Sequence, residues 1–264
     1  FDYEDYDTSQ SSKSFLTDAP STQYINSNQS AFLYFLTAST LTNITIKSYD
    51  SDGVIVSSGT VDASGITNNF GYVACGTYDI INSDASAWLT GNPATILTGA
   101  AYYTVNTALG GVTSNLTTFY IDAKCSKYTP IRLHWLNRLG GFDSFNFNLK
   151  SEEQTDIKRS TYLQEEHNFT GTNWSYNSMS RGTTDYHFST QDKLTLNTDY
   201  LTEAESTWMN DLFTSPVIYQ EVDNELIAVS GKPKRIKKQT SLNDKLMQYT
   251  FELDYSLNNN RQRG

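Results

Sequence analysis

Apolar and polar residues alternate with a period of two along much of this chain, which is typical of strands that bury one face of a sheet. Residues 43–47 show the alternation clearly, and apolar runs at 31–36, 101–105 and 118–121 belong to the same series. Val, Ile, Thr and Tyr dominate these runs, and turn residues separate them. From residue 24 to about residue 121 the pattern therefore predicts short antiparallel strands in a β-sandwich.

Three pairs of apolar runs are separated by turn residues and predict β-hairpins. The first contains Asp52-Gly53, where Gly tolerates the positive φ that a tight turn requires. The second joins residues 131–135 to 145–149 and places its apolar face on the odd positions. The third joins residues 217–219 to 226–229.

One convincing helix is predicted near 203–213. Thr202 and Glu205 have the spacing of a capping box, in which each side chain satisfies a backbone N–H of the other residue. Ala204, Trp208, Met209 and Leu212 follow at helical spacing on one face. The clearest strand lies at 247–257, whereas residues 151–190 are polar and are interpreted as loops with one or two edge strands.

These elements predict a mainly β fold: an antiparallel β-sandwich followed by a second β-rich domain with one short helix. We place an extended N-terminal arm at 1–23, the sandwich at 24–125, and the second domain, ending in the C-terminal strand, at 126–264. Charge supports the division, because only Lys13 and Lys47 precede Lys124, and the other 17 of the 19 basic residues lie from Lys124 onward.

The formal net charge is -10, which argues against nucleic acid as a partner because phosphate recognition needs a basic face. Aromatic residues make up 13% of the chain, more than a disordered segment carries. No apolar run reaches the 18 or so residues of a membrane helix, so no membrane association is expected.

Candidate chemistry is sparse, and we expect no catalytic residue, no cofactor and no metal. Nucleophile-elbow, P-loop, dinucleotide-binding and zinc-protease motifs do not occur. The three histidines are far apart, and we interpret them as ordinary surface or half-buried residues: His134, His167 and His187. Paired acids such as Glu152 and Glu153 are interpreted as solvated. Two reduced thiols are favoured for Cys75 and Cys125, with one disulfide as the alternative.

Assembly contacts are predicted at the two termini and in one basic segment. Three aromatic residues of the acidic N-terminus could be buried on a neighbouring copy: Phe1, Tyr3 and Tyr6. Four basic residues lie close together but alternate between the faces of a strand, which favours protein contact or edge protection over nucleic acid: Lys234, Arg235, Lys237 and Lys238. Arg261 and Arg263 could pair with an acidic surface of another copy.

Two stretches carry a family resemblance. Residues 128–145 contain Pro130-Ile131-Arg132-Leu133-His134-Trp135, and residues 201–217 contain Leu212-Phe213-Thr214-Ser215-Pro216-Val217; the region continues through 243–246 into the terminal strand. Together they resemble virion structural proteins of tailed phages that infect Bacteroidetes. The resemblance covers roughly the second half and implies a tail or neck location, with other copies and other virion proteins as partners, after synthesis in the host cytoplasm.

Three functions therefore compete. The first is a non-enzymatic structural subunit in the tail, tail hub or neck of a phage, assembling as a multi-copy ring. The second is a secreted or surface β-sandwich that binds glycans, which predicts exposed aromatic residues in one cleft. The third is a hydrolase, which predicts a deep cleft with perturbed carboxylates. We favour the first.

Overall fold

A computed structural model describes residues 13–37, 43–62, 70–82, 89–90, 93–109, 112–122, 127–164, 167–169, 171–176, 182–231 and 247–257. The described strands of the first half are β1 (Thr22–Ile25), β2 (Phe32–Leu36), β3 (Asn43–Tyr49), β4 (Ile55–Asp62), β5 (Phe70–Ala74), β6 (Leu89–Thr90), β7 (Tyr102–Leu109), β8 (Val112–Thr113) and β9 (Thr117–Ile121). Two short helices, α1 (Thr77–Asn82) and α2 (Pro93–Ile96), lie among them.

The first half is a sandwich with one large and one small sheet. Its large sheet has the order β1-β9-β7-β3-β4-β6, with β8 paired to β7, and its small sheet pairs β2 with β5. Inward-facing side chains, including Phe35, Ile46, Tyr103 and Phe119, form a hydrophobic core in which each is at most 1% exposed. One pairing departs from the antiparallel expectation, because β1 runs parallel to β9.

The hairpin predicted around Asp52-Gly53 joins β3 to β4. Gly53 has a φ of 79°, the left-handed conformation that favours glycine. Asp50 stabilises the turn, because its carboxylate accepts hydrogen bonds from the backbone N–H groups of Asp52 and Val54. The side-chain chemistry of this turn is entirely local, which is why the sequence predicts it.

The second half contains the strands β10 (Ile131–Leu136), β11 (Phe142–Phe147), β12 (Glu152–Leu163), β13 (His167–Phe169), β14 (Trp174–Tyr176), β15 (Thr183–Asn197), β16 (Ile218–Val222), β17 (Glu225–Gly231) and β18 (Thr250–Tyr255), and the helix α3 (Glu203–Thr214). Seven of the strands form an antiparallel sheet in the order β11-β10-β16-β17-β18-β15-β12. The other two predicted hairpins are present as β10–β11 and β16–β17.

Helix α3 covers one face of this sheet and forms a second hydrophobic core. The predicted capping box is present, because Thr202 accepts from the Glu205 backbone and the Glu205 carboxylate accepts from the Thr202 backbone. Trp208, Met209 and Leu212 are buried as predicted, although Ser206 rather than Ala204 completes the buried face. The rings of Trp208 and Trp135 lie 5.1 Å apart across the helix–sheet interface.

The β-rich fold class is confirmed, with a sandwich, a second β-rich part and a helix of about three turns. Two hydrophobic cores lie on either side of residues 122–130, one formed mainly by residues 15–119 and one by residues 133–253. Long-range hydrogen bonds nevertheless join the halves, as between Arg132 and Ser30.

Residues 13–23 lie against the chain itself. Phe15 and Leu16 lie in the predicted 1–23 arm and are nevertheless core residues, each only 3% exposed. Phe15 packs edge-on against Phe35, and Leu16 donates its backbone N–H to the carbonyl of Tyr34. Two isolated apolar residues create no period in the sequence, so the pattern could not reveal their burial.

Candidate functional site

The predicted assembly residues lie outside the described residues. They are Phe1, Tyr3, Tyr6, Lys234, Arg235, Lys237, Lys238, Arg261 and Arg263. Their roles stay predictions. The described part of the chain instead contains two features that bear on function: an exposed two-stranded ribbon and a buried polar junction.

The ribbon consists of β12 paired with the first part of β15, the region that we expected to form loops with one or two edge strands. Only residues Lys193–Asn197 of β15 also pair with β18. From Thr155 to Leu163, β12 pairs with β15 and with no other described strand. At roughly 3.3 Å per residue, the two-stranded part is about 25–30 Å long.

No residue of β12 is buried, and none of residues 183–193 of β15 is buried. Several of the exposed side chains are large and apolar: Ile157, Tyr162, Leu163 and Tyr186 are 55%, 47%, 83% and 67% exposed. Two ion pairs, Arg159–Asp185 and Lys193–Asp156, link the strands at the surface. A two-stranded ribbon is at best marginally stable in water, so further contacts along its faces or its β12 edge would stabilise it.

The junction is a set of buried hydrogen bonds between the two halves, centred on Arg132 of β10. The guanidinium is 2% exposed and donates three hydrogen bonds: from Nε to the Ser30 carbonyl (2.8 Å), from Nη1 to Asn146 Oδ1 (2.8 Å) and from Nη2 to Ser144 Oγ (2.5 Å). Burial lowers the pKa of Arg132, and the negative charge of Glu221 opposes that effect.

Glu221 of β16 provides the opposite charge of the junction. Its Oε1 accepts from the backbone N–H of Ser30 at 2.9 Å, and its Oε2 lies 2.8 Å from Nε2 of His134. Burial lowers the pKa of His134, although the hydrogen bond to Glu221 acts in the opposite direction, and Nε2–H donates because a carboxylate can only accept. One carboxylate thus links both halves of the chain.

Helix α1 supplies a second carboxylate, the half-buried Asp79, from the first half. Asp79 accepts from Ser30 Oγ and from the backbone N–H groups of Ala31 and Gly76. Burial raises the pKa of Asp79, although these hydrogen bonds act against the change. Gly76 is required here, because a Cβ atom on it would lie 2.3 Å from the Ala31 nitrogen.

The junction has the chemistry of a structural contact. The nearby thiol of Cys75 is buried and forms no disulfide. Burial, followed by the charge of Asp79, raises its pKa well above the usual range, whereas a reactive cysteine needs a lowered pKa and access to solvent. The satisfied, buried ion pair of Arg132 and Glu221 holds loop 26–31 against β10 and β16.

His134 corrects our sequence interpretation, because it is 1% exposed rather than on the surface or half-buried. We placed the buried face of β10 on its odd positions, yet Arg132 and His134 are buried as well. The only signal for this junction was the presence of Arg and His at alternate positions of an apolar strand. His187 is exposed as expected, and His167 has no described side-chain environment.

Three further findings concern a metal site, a membrane-spanning helix and similarity to known proteins. Within the described ranges, no group of His, Cys, Asp or Glu side chains is arranged to hold a metal ion. None of the helices in that part of the chain has the length and apolar character needed to cross a bilayer. No protein-family model matches the sequence, and no curated protein is significantly similar to it.

Proposed function

We propose that this chain is a non-enzymatic structural subunit of a tailed-phage virion, in the tail, tail hub or neck, where copies assemble into a ring. The single observation that carries the proposal is the ribbon of β12 and β15, whose apolar side chains have no cover among the described residues. The sequence resemblance in residues 128–145 and 201–217 supplies the virion context.

A ribbon of this kind suits assembly better than catalysis. The β12 edge, which pairs with no strand other than β15 in the described part of the chain, offers backbone N–H and C=O groups to an incoming strand, and the exposed aromatic residues offer apolar area. The partners are therefore other copies of the chain and other virion proteins. Nucleic acid is not included, because the chain has a formal net charge of -10.

The decisive experiment shortens the ribbon without disturbing the sheet. Asp156 and Gln191 are register partners, so a two-residue Asn-Gly turn can replace residues 157–190. We expect the shortened chain to fold, with a β-sheet circular dichroism spectrum that lacks only the contribution of the removed strands, and to lose the assemblies that the full chain forms in sedimentation velocity and negative-stain microscopy. The matched control is the full chain with Thr155→Ser, which leaves the exposed apolar residues in place.

Two results would refute the proposal. One is a full chain that stays monomeric at high concentration and with its neighbouring virion proteins. The other is equal assembly by the shortened and full chains. Mass spectrometry of purified virions tests the location separately, because a virion subunit must be present there in multiple copies.

A further inference from the structure

A groove of about 180 Å³ lies between the two halves of the chain. It is lined by Tyr24 of β1, by the segment 199–201 with the first turns of α3, and by Ser144, Phe145 and Asn146 of β11. The groove therefore combines residues far apart in the sequence. Ser144 and Asn146 line the groove and also accept hydrogen bonds from Arg132 of the junction, whereas no ribbon residue lines it.

Two exposed tyrosines line this groove, Tyr24 (59% exposed) and Tyr200 (64% exposed). Tyr24 is the end of a row of tyrosines that stand in register across four neighbouring strands, continuing through Tyr120 and Tyr102 to Tyr49. Tyr24 and Tyr120 have ring centroids 5.9 Å apart, so one side of the Tyr24 ring is supported. Support on one side leaves the other available to a ligand and reduces the entropy lost on binding.

Carboxylates, together with the amides of Gln23, Asn146 and Asn148, provide the polar part of the groove. Asp122, Asp199 and Glu205 line it, and none of its described lining residues is Lys or Arg, which disfavours an anionic ligand. Asp199 Oδ1 already accepts from the Tyr200 backbone, and Glu205 Oε2 accepts from Thr202. A guanidinium binds best to both oxygens of one carboxylate, whereas a hydroxyl group needs only one oxygen. Because one oxygen of Asp199 and one of Glu205 already accept a backbone N–H, these carboxylates suit a ligand hydroxyl better than a guanidinium.

We propose that this groove binds a neutral oligosaccharide, with one sugar ring inside it. The C–H face of a pyranose stacks on Tyr24 or Tyr200, and its hydroxyl groups donate to the carboxylate oxygens of Asp199 and Glu205. The volume of the groove suits one sugar ring. Its aromatic side chains suit the apolar C–H face of that ring, and its polar side chains suit the hydroxyl groups. This binding activity goes beyond an assembly role.

Isothermal titration calorimetry with maltohexaose, cellohexaose, mannohexaose and chitohexaose tests the proposal on the full chain. We expect at least one of these neutral probes to bind, with saturation-transfer NMR contacts to a single sugar ring. Hexagalacturonic acid, which is anionic, should not bind. The proposal is overturned if no neutral probe binds, if the acidic probe binds more tightly, or if only an arginine-rich peptide binds.

Two variants locate the site. Tyr24→Ala and Tyr200→Ala should each weaken binding by about tenfold, because each removes a stacking surface. Both side chains are exposed, and circular dichroism verifies folding. The matched control is Tyr186→Ala, which removes an equally exposed tyrosine (67%) from the ribbon and should leave affinity unchanged. Equal affinity in all three variants would place binding elsewhere and refute the proposal.

Discussion

Replacing Arg132 with Met should strongly destabilise the protein, because three buried hydrogen bonds are lost together, one to Ser30 of the other half and two to β11. The change also leaves the carboxylate of Glu221, whose side chain is 5% exposed, without its nearby positive charge. Removing one partner of a buried ion pair costs about 3–5 kcal/mol. Urea unfolding followed by the fluorescence of Trp135 and Trp208 measures the change in the free energy of unfolding.

Arg138 in the turn after the same strand provides a matched control. It pairs with Asp18 at 2.5 Å, but its side chain is 69% exposed. An exposed pair contributes about 0–1 kcal/mol, so Arg138→Met should change stability by less than about 1 kcal/mol. The two substitutions remove the same side chain from the same hairpin, but the Arg132 site is buried and more extensively hydrogen-bonded.

A double variant separates charge from packing. Arg132→Met with Glu221→Gln removes both charges, and we expect it to recover part of the stability lost in the single variant, because no uncompensated charge stays buried. An Arg132→Met variant no less stable than Arg138→Met would refute the structural role of the junction.

Three other substitutions test local features. Burial raises the pKa of Asp143 from 3.8 to about 6. Protonation of Asp143 therefore contributes about 3 kcal/mol to the stability of the folded state below pH 3.8, and this contribution is lost as the pH rises through 6. Asp143→Asn should flatten the stability–pH curve between these two pH values. Thr202→Ala should cost about 0.5–2 kcal/mol in urea unfolding, against less than about 0.5 kcal/mol for the exposed Thr207→Ala. Gly76→Ala should lower the thermal unfolding midpoint, since its Cβ would overlap the Ala31 backbone; an unchanged midpoint would contradict that packing.

The elements that the sequence predicts well are those whose signals are local. Gly53 adopts the expected positive φ, and Asp223 and Asn224 make the turn between β16 and β17 with φ values of 50° and 66°. The capping box of α3 needs only residues three apart. In the terminal strand, Met247, Tyr249, Phe251 and Leu253 are buried as their alternation predicts, whereas Leu257 is 80% exposed because the strand ends at Tyr255.

Prediction failed where burial or pairing depends on distant residues. The ribbon strands show no alternation because neither face is buried, so the sequence indicates loops with one or two edge strands at 151–190 and misses the length of the paired β12 and β15. The parallel pairing of β1 with β9 joins residues almost a hundred positions apart, and nothing near Thr22 indicates it. The groove residues Tyr24 and Tyr200 have no sequence signal of proximity either.

The sequence by itself determines where strands and turns form, which side chains share a face, and where the helix begins. The tertiary structure decides what covers each face. Arg132 and His134 occupy the polar positions of an alternating strand, and they are buried because loop 26–31 and β2 pack on that face. Alternation records the direction of a side chain relative to its own strand, whereas burial depends on a second surface contributed by residues about a hundred positions away.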